Sequence, residues 1–195
     1  MFKLFDDIKA IYRNDPAAKN IEFLLYPSFH AIFFHRFIHF LWKLNVPFFP
    51  RLLSQVSRFL TGLEIHPGAT IGRGFFVDHG AGVVIGETTI IGDNCVLFHN
   101  VTLGGTGKHH GKRHPTLGNN VLIGTGATLL GPVTIGDDVK IGAGSFIFMR
   151  DVPSGCTVAG VPAQIVKHNG KRVDEPLPHT KIDRADLGNS TYDHN

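Results

Sequence analysis

Hydrophobic residues recur at two different periods along this chain. Before residue 62 they are spaced three and four apart, as in Phe5, Ile8 and Tyr12, and this spacing predicts amphipathic helices. From Ile65 the period becomes six, and eleven of the thirteen positions in the column are Ile, Leu or Val. The thirteen positions are Ile65, Ile71, Val77, Val83, Thr89, Cys95, Val101, Leu117, Ile123, Leu129, Ile135, Ile141 and Ile147.

The six-residue period predicts one architecture. Neither helices nor hairpins repeat every six residues, whereas a parallel β-helix does, with each hexad forming one short side of a three-sided coil. In that arrangement the aliphatic residue of each hexad points inward, and the Gly, Asn and Asp residues lie at the corners. We therefore predict an α+β fold in which an N-terminal helical segment is followed by a parallel β-helix.

The column is interrupted between Val101 and Leu117, which are sixteen residues apart instead of six. The ten additional residues, 107–116, read GKHHGKRHPT. One side of a coil has no room for them, so we expect a single loop extruded from the wall of the β-helix. Loops held by a rigid scaffold often carry function, and this one is unusually rich in histidine and positive charge.

These patterns divide the chain into three parts. We predict a helical N-terminal domain over residues 1–62 and a β-helix catalytic domain over residues 63–167, with its loop at 107–116. Residues 168–195 are polar and offer little to bury, so we expect a mobile tail there.

Composition argues against several classes of protein. The net charge of +3 is too small to indicate nucleic-acid binding. Cys95 and Cys156 lack CxxC spacing and indicate a reducing compartment. The start, MFKLFDDIKA, is acidic where a signal peptide is basic, and His, Arg and Lys interrupt the apolar segment 29–49, unlike a membrane helix. We expect a cytoplasmic protein that binds neither nucleic acid nor membrane.

The first candidate catalytic residues are Asp78 and His79, which are adjacent, and Glu64, which lies fifteen residues before His79. One coil takes eighteen residues, so we expect Glu64 and His79 to be neighbours in space. A carboxylate beside a histidine fixes its tautomer and raises its basicity, which makes a general base. Taken alone, such a pair is more often an ordinary surface hydrogen bond.

The loop adds Arg113 and His114, a fork of donors suited to a carboxylate or a phosphate. A solvated basic loop is the alternative. That alternative is the interpretation we keep for the neighbouring residues Lys108, His109, His110 and Lys112.

Several motifs resemble one family. DHGAGVVIGET (78–88), VTLGGTGK (101–108), RHP (113–115) and GVPA (160–163) are similar to motifs of serine O-acetyltransferase, as are DPA, FHA and HR near the N-terminus. The resemblance runs from about residue 6 to residue 166. It implies a left-handed β-helix and transfer of an acetyl group from acetyl-CoA to L-serine, the first step of cysteine biosynthesis. Acetyl-CoA would be the co-substrate, and no metal is expected.

The resemblance also implies roles for individual residues. His79 matches the general base that deprotonates the serine hydroxyl, with the oxyanion stabilised by backbone N–H groups near Gly104 and Gly105. Glu64 matches the carboxylate that orients this histidine, although many members have Asp there. Asp15 and Asp78 match residues that hold the substrate amino group.

Other positions match the remaining parts of the two substrates. Arg113 and His114 match the pair that holds the substrate carboxylate. Positions along the CoA groove are matched by Gly105, Thr125, Lys140 and Ala143. Many members have Ala where this chain has Thr125. No role is implied for His99, which either contacts the site or is a packed or trimer-facing histidine.

The resemblance bears on partners as well. Many members have a longer helical N-terminus that joins two trimers, so we expect a homotrimer and keep a hexamer open. Many members end in Ile, which inserts into the O-acetylserine sulfhydrylase. This chain ends in Asn195, so we do not expect that complex.

Three alternatives stay open at this point. An acetyltransferase for another small hydroxyl acceptor, such as homoserine, would carry the same motifs. A carbonic-anhydrase-like metalloenzyme would hold its metal with His109, His114 and either His79 or His99. A β-helix that is not an enzyme would need flat repeated faces rather than this loop.

Overall fold

The computed structural model describes residues 2–107 and 110–180. The N-terminal part consists of α1 (Phe2–Asn14), a 3-10 helix (Glu22–Leu25), α2 (Pro27–Lys43) and α3 (Phe49–Thr61). Helix α3 ends at Gly62, whose φ of 75° gives the left-handed conformation that commonly terminates helices. In the part of the chain described, no helix is both long enough and apolar enough to cross a membrane.

Most of the remaining described chain is a left-handed parallel β-helix of about five turns, which confirms the predicted fold class. Face one contains β1 (Glu64–Ile65), β4 (Val84–Ile85), β7 (Thr102–Gly104), β10 (Thr128–Leu130) and β13 (Phe146–Phe148). Face two contains β2 (Thr70–Ile71), β5 (Ile90–Ile91), β8 (Thr116–Leu117) and β11 (Thr134–Ile135). Face three begins with β3 (Phe76–Val77), β6 (Val96–Leu97), β9 (Leu122–Ile123) and β12 (Lys140–Ile141).

The interior of the coil has two inward positions in each hexad. Val83 and Ile85, for example, are both fully buried although they are two residues apart. One column is entirely aliphatic, and its thirteen members are Ile65, Ile71, Val77, Ile85, Ile91, Leu97, Leu103, Leu117, Ile123, Leu129, Ile135, Ile141 and Ile147. Thr89 and Cys95 belong to the second column, which explains why they interrupted the pattern of Ile, Leu and Val.

The prediction of a single ten-residue insertion at 107–116 was therefore wrong. Val77 and Ile85 are eight residues apart instead of six, so two extra residues lie in the first turn from face three to face one. Leu103 and Leu117 are fourteen apart, so the loop contributes eight extra residues. This loop spans residues 105–115, because Thr116 already belongs to β8.

The N-terminal helices cover the open edge of the first coil, whose carbonyl groups have no preceding coil to pair with. Four side chains of α1 and α2 contact these oxygens: Lys3, His35, Arg36 and His39. Arg36 donates to the carbonyls of Ile71 and Gly72, both at 2.6 Å, and its guanidinium also forms a salt bridge with the buried Asp7 at 3.0 Å. Covering this edge fixes α1 and α2 to the coil.

Face three continues at the C-terminal end with β14 (Cys156–Gly160), β15 (Ala163–His168) and β16 (Lys171–Pro176). Strand β14 pairs in parallel with β12, and the last two strands follow as antiparallel neighbours. A mobile tail from residue 168 is therefore wrong for its first part, because backbone pairing orders these polar residues without a core of their own. Residues 181–195 lie outside the described part of the chain.

Candidate active site

Most of the predicted site residues lie at two corners of the β-helix. We call the turns from face three to face one the histidine corner; they carry His79, His99, Thr125 and Ala143. We call the turns from face one to face two the loop corner; they carry Gly105 and the loop with Arg113 and His114. Lys140 is an exposed residue of β12, on the face that leads into the histidine corner.

His79 lies in the turn that contains the two extra residues. Its φ of 60° is left-handed, which is uncommon for a residue other than glycine, and its side chain is 76% exposed. Gly80 follows with φ of 80°, and a Cβ at that position would lie 2.8 Å from the Leu63 side chain. The enlarged turn therefore projects the imidazole away from the coil while the backbone beneath it stays close-packed.

A cavity of about 410 Å³ lies between this turn and the N-terminal segment. Its lining includes Asp15, Tyr26, Asp78 and His79. The structure thus brings together three of the predicted site residues, although Asp15 is more than sixty positions from the other two. Two carboxylates facing one cavity favour a cationic group of the ligand, such as an ammonium.

The carboxylate of Asp15 is held on both of its oxygens. Oδ1 accepts a hydrogen bond from the backbone N–H of Ala17 at 2.8 Å, and Oδ2 accepts one from the Tyr26 hydroxyl at 2.7 Å. The hydrogen bond to Asp15 raises the pKa of Tyr26 to about 12, and burial adds to the effect. The sequence analysis did not identify Tyr26, because nothing in the neighbouring sequence indicates that its hydroxyl bonds a carboxylate of the site.

The expected contact between Glu64 and His79 is not formed among the described residues. The Glu64 carboxylate instead pairs with Arg58 at 3.1 Å and with Arg51 at 3.8 Å, both on α3. The carboxylate nearest to His79 is that of Asp78, with Oδ1 lying 3.8 Å from Nε2. One coil length therefore brings Glu64 to the neighbouring face, but its side chain turns toward the helix.

His114 is buried at the loop corner, packed between two glycines. A Cβ at Gly86 would collide with the His114 ring, and one at Gly105 would lie 3.1 Å from Nε2. Nδ1 accepts a hydrogen bond from the Thr88 backbone N–H at 3.2 Å, so the ring proton of neutral His114 lies on Nε2. Burial, aided by the charge of Arg113, lowers the pKa of His114 to about 4. His114 is therefore a neutral hydrogen-bond donor at physiological pH.

Arg113 is held by Glu87 through a short ion pair between the guanidinium and the carboxylate. Burial opposes ionisation of Glu87, but the hydrogen bond and charge of Arg113 outweigh it and lower the pKa of that carboxyl. Thr88 Oγ1 accepts the backbone N–H groups of Arg113 at 3.0 Å and His114 at 3.1 Å. Sequence reasoning found Arg113 and His114 but missed Glu87 and Thr88, which fix both.

The histidine corner continues as an open ladder. Gly126 N–H donates to the His99 carbonyl at 3.0 Å, and Gly144 N–H donates to the Thr125 carbonyl at 2.8 Å. A Cβ at either glycine would meet nothing within 4 Å, so this edge leaves room for an extended ligand. The exposed ammonium of Lys140 suits phosphate groups at the far end.

His99 occupies the ladder position next to His79. The two rings meet edge to face, with their centroids 5.8 Å apart. Nδ1 of His99 is buried and has no hydrogen-bond partner in the described ranges. Of the two predicted alternatives for His99, the structure therefore favours a place beside the site.

The metal-site alternative depended on a cluster of histidines. Within residues 2–107 and 110–180, no three His, Cys, Asp or Glu side chains are grouped in a way that could hold a metal ion. His79 and His99 lie at the histidine corner, whereas His114 lies at the loop corner. His109 lies outside the described residues.

Comparison with known proteins points to one family. The model for the bacterial transferase hexapeptide (six repeats) matches residues 114–148. A serine acetyltransferase of Synechococcus elongatus is 56% identical over 185 residues, which cover 93% of this chain and 75% of the relative.

Solved structures agree. A Brucella abortus serine acetyltransferase in complex with coenzyme A is 42% identical with a TM-score of 0.81, over 89% of this chain and 68% of that one. A Neisseria gonorrhoeae serine acetyltransferase in complex with serine is 41% identical with a TM-score of 0.80, over 84% and 67%. With these sequence and structural matches over most of its length, the chain belongs to the serine acetyltransferase family.

Proposed function

We propose that this protein transfers the acetyl group of acetyl-CoA to the hydroxyl of L-serine, giving O-acetyl-L-serine and CoA, as the first step of cysteine biosynthesis. The observation that carries the proposal is the cavity in which Asp15, Asp78 and His79 meet. A hydroxy amino acid requires carboxylates to bind its ammonium group and a base near its hydroxyl, and this cavity offers both. The two buried free cysteines suit a reducing compartment, so we place the reaction in the cytoplasm.

The acceptor is held at both of its charged groups. Asp15 and Asp78 take the α-ammonium, and Arg113 with the Nε2–H of His114 takes the α-carboxylate. Because these four residues fix the backbone of the amino acid, its side-chain hydroxyl is directed toward His79. Acceptors one methylene longer, such as homoserine, would place that hydroxyl differently, and this is why we favour serine.

The chemistry is a direct transfer. Neutral His79 removes the proton of the serine hydroxyl as that oxygen attacks the thioester carbonyl carbon. The backbone N–H of Gly105, which lies just beyond β7, stabilises the oxyanion, whereas Gly104 is paired with Leu130 in the sheet. As the carbon–sulfur bond breaks, the protonated His79 returns its proton to the CoA sulfur. We retain Glu64 as the residue that orients His79, by turning away from Arg58.

Acetyl-CoA fits the open ladder of the histidine corner. Thr125 and Ala143, which belong to the turns of this corner, would contact the cofactor along its length, and the exposed Lys140 would bind one of its phosphates. Gly105 contributes from the loop corner, where a side chain would press against Arg113 and His114. No metal enters this scheme.

A homotrimer explains how the two corners act on one substrate. Within one chain, Arg113 and His114 lie at the loop corner, whereas Asp78 and His79 lie at the histidine corner. Asp15, in the segment after α1, lines the same cavity as Asp78 and His79. If the loop corner of one subunit meets the histidine corner of the next, a ring of three closes and contains three complete sites. The site is therefore shared between neighbouring subunits.

Two further contacts concern the assembly. Aromatic residues on α2 and α3 are exposed, including Phe37 at 56% and Phe59 at 89%, and such a surface supports a second contact that would join two trimers. Light scattering distinguishes a trimer from a hexamer. Asn195 lies outside the described residues, and co-elution with the sulfhydrylase tests whether the two proteins form a complex.

The decisive experiment is a thiol-release assay with acetyl-CoA and a panel of hydroxy amino acids. We expect release with L-serine, much less with homoserine, and a loss of about 10²- to 10⁴-fold in kcat for His79→Asn. No release with any hydroxy amino acid would contradict the acetyltransferase assignment. Near-normal turnover of His79→Asn would contradict the role of His79 alone.

A further inference from the structure

We propose that Tyr26 is a positioning residue of the acceptor pocket, whose hydroxyl holds the Asp15 carboxylate in the orientation that receives the acceptor ammonium. The inference rests on the proposed function and adds to it a residue that does not itself contact the reacting atoms.

The geometry leaves the carboxylate one orientation. Asp15 Oδ2 accepts the Tyr26 hydroxyl at 2.7 Å while Oδ1 accepts the Ala17 N–H at 2.8 Å. Rotation of the carboxylate would break both hydrogen bonds together. Each oxygen keeps a free lone pair, so the group still accepts hydrogen bonds from an ammonium in the cavity.

Asp15 needs this support because of where it lies. It follows α1 in a segment without regular secondary structure that continues to the 3-10 helix. Tyr26, by contrast, is the residue immediately before α2, and α2 is fixed to the first coil through Arg36. The hydrogen bond therefore ties a carboxylate on an irregular segment to the rigid part of the molecule.

Tyr26 serves as a donor and not as a second base. The pKa of its hydroxyl is raised to about 12, so the phenol stays protonated at physiological pH. Asp15 and Tyr26 both line the cavity that contains His79. Loss of the phenol hydroxyl therefore alters the lining of the acceptor pocket directly.

Tyr26→Phe removes only the hydroxyl. We expect KM for serine to rise about tenfold, the effect of losing a hydrogen bond to a charged group, while kcat and KM for acetyl-CoA change less than about twofold. Tyr12→Phe is the matched control, since the Tyr12 hydroxyl bonds the Asn20 carbonyl outside the cavity. It should leave all three constants unchanged.

Two measurements separate positioning from a general loss of structure. Tyr26→Phe should not lower kcat/KM for 3-hydroxypropionate, which lacks the amino group, and it should add nothing to the loss caused by Asp15→Asn. Unchanged kinetics with serine, an equal loss with both acceptors, or full additivity with Asp15→Asn would each overturn the inference. A wild-type protein that does not acetylate serine would instead overturn the proposed function.

Discussion

Thr88 Oγ1 lies 2.9 Å from His114 Nδ1, although the two residues are 26 positions apart in the chain. The same oxygen accepts the backbone N–H groups of Arg113 and His114, so its own hydrogen is free to donate to the ring. One threonine thereby fixes the tautomer of His114 and the backbone of the pair proposed to hold the substrate carboxylate.

Replacement of this threonine by its isostere tests that role. In Thr88→Val, Nδ1 loses the hydroxyl donor, and the loop loses the acceptor that holds two backbone N–H groups. We expect kcat/KM for serine to fall about five- to thirtyfold, corresponding to about 1–2 kcal/mol, mainly through KM. Steady-state kinetics with serine as the varied substrate measure the effect.

The adjacent Thr89 provides the control. Its side chain is 1% exposed, and its hydroxyl has no hydrogen-bond partner among the residues that the structure describes. Thr89→Val should leave the kinetics unchanged and raise the free energy of unfolding by up to about 1 kcal/mol. Equal kinetic losses in both variants would mean that Thr88 acts only through general packing.

The six-residue period predicts the coil because each face needs an aliphatic side chain every six positions. It does not fix the phase, because Val83 and Ile85 both point inward. The six-residue count passes from one inward column to the other between Val77 and Val83, and in the second column it still meets mostly apolar residues, with Thr89 as the polar exception. The two-residue enlargement of the turn 78–83, which projects His79, was therefore hidden within an apparently regular repeat.

The sequence likewise predicted only part of the candidate site. Motif resemblance predicted Asp15, Asp78 and His79 together, and the cavity places them together. The supporting contacts of Tyr26, Glu87 and Thr88 join residues that are distant in the chain. Such contacts depend on how helices and loop dock on the coil, and no local spacing in the sequence indicates them.

Glu64 has two competing roles that mutation can separate. Its carboxylate is paired with Arg58 and Arg51, yet it is proposed to orient His79 during the reaction. Glu64→Gln should lower kcat about 10- to 100-fold with little change in KM, because a carboxylate that orients a base acts mainly in the transition state.

Arg58→Gln is the matched control for Glu64. It breaks the closer of the two salt bridges, leaves only the 3.8 Å contact with Arg51, and keeps the carboxylate that can turn to His79, so kcat should stay within about twofold of the wild type. If Glu64→Gln has normal kcat, Glu64 serves only to hold α3, and Asp78 is the carboxylate that acts on His79.

Buried histidines make the fold sensitive to acid. Burial, with smaller contributions from His39 and Arg36, lowers the pKa of His35 from 6.5 to about 3. Between pH 6.5 and about 3, His35 is protonated in the unfolded chain but stays neutral in the folded protein. The free energy of unfolding should therefore fall as pH decreases from 6.5 toward 3, by up to about 1.4 kcal/mol per unit for this residue.

Denaturant unfolding at several pH values tests this effect. The amide of His35→Gln can still donate to the Ala69 carbonyl but does not titrate, so its stability should depend less steeply on pH below 6.5. The exposed His168→Gln should keep the wild-type slope. Parallel curves for all three proteins would show that His35 is not the group responsible.

A site shared between subunits predicts complementation between two inactive variants. His79→Ala lacks the base, and Arg113→Ala lacks the guanidinium that binds the substrate carboxylate. Homotrimers of either variant should therefore be nearly inactive. In mixed trimers, a subunit that retains His79 can meet a neighbour that retains Arg113. Random mixing of equal amounts makes about one site in four complete, so co-refolding should restore about a quarter of wild-type activity.

Mixing the folded homotrimers without exchange of subunits is the control and should restore none. If co-refolding also restores none, both corners would have to act within one chain, and the shared-site proposal would be wrong.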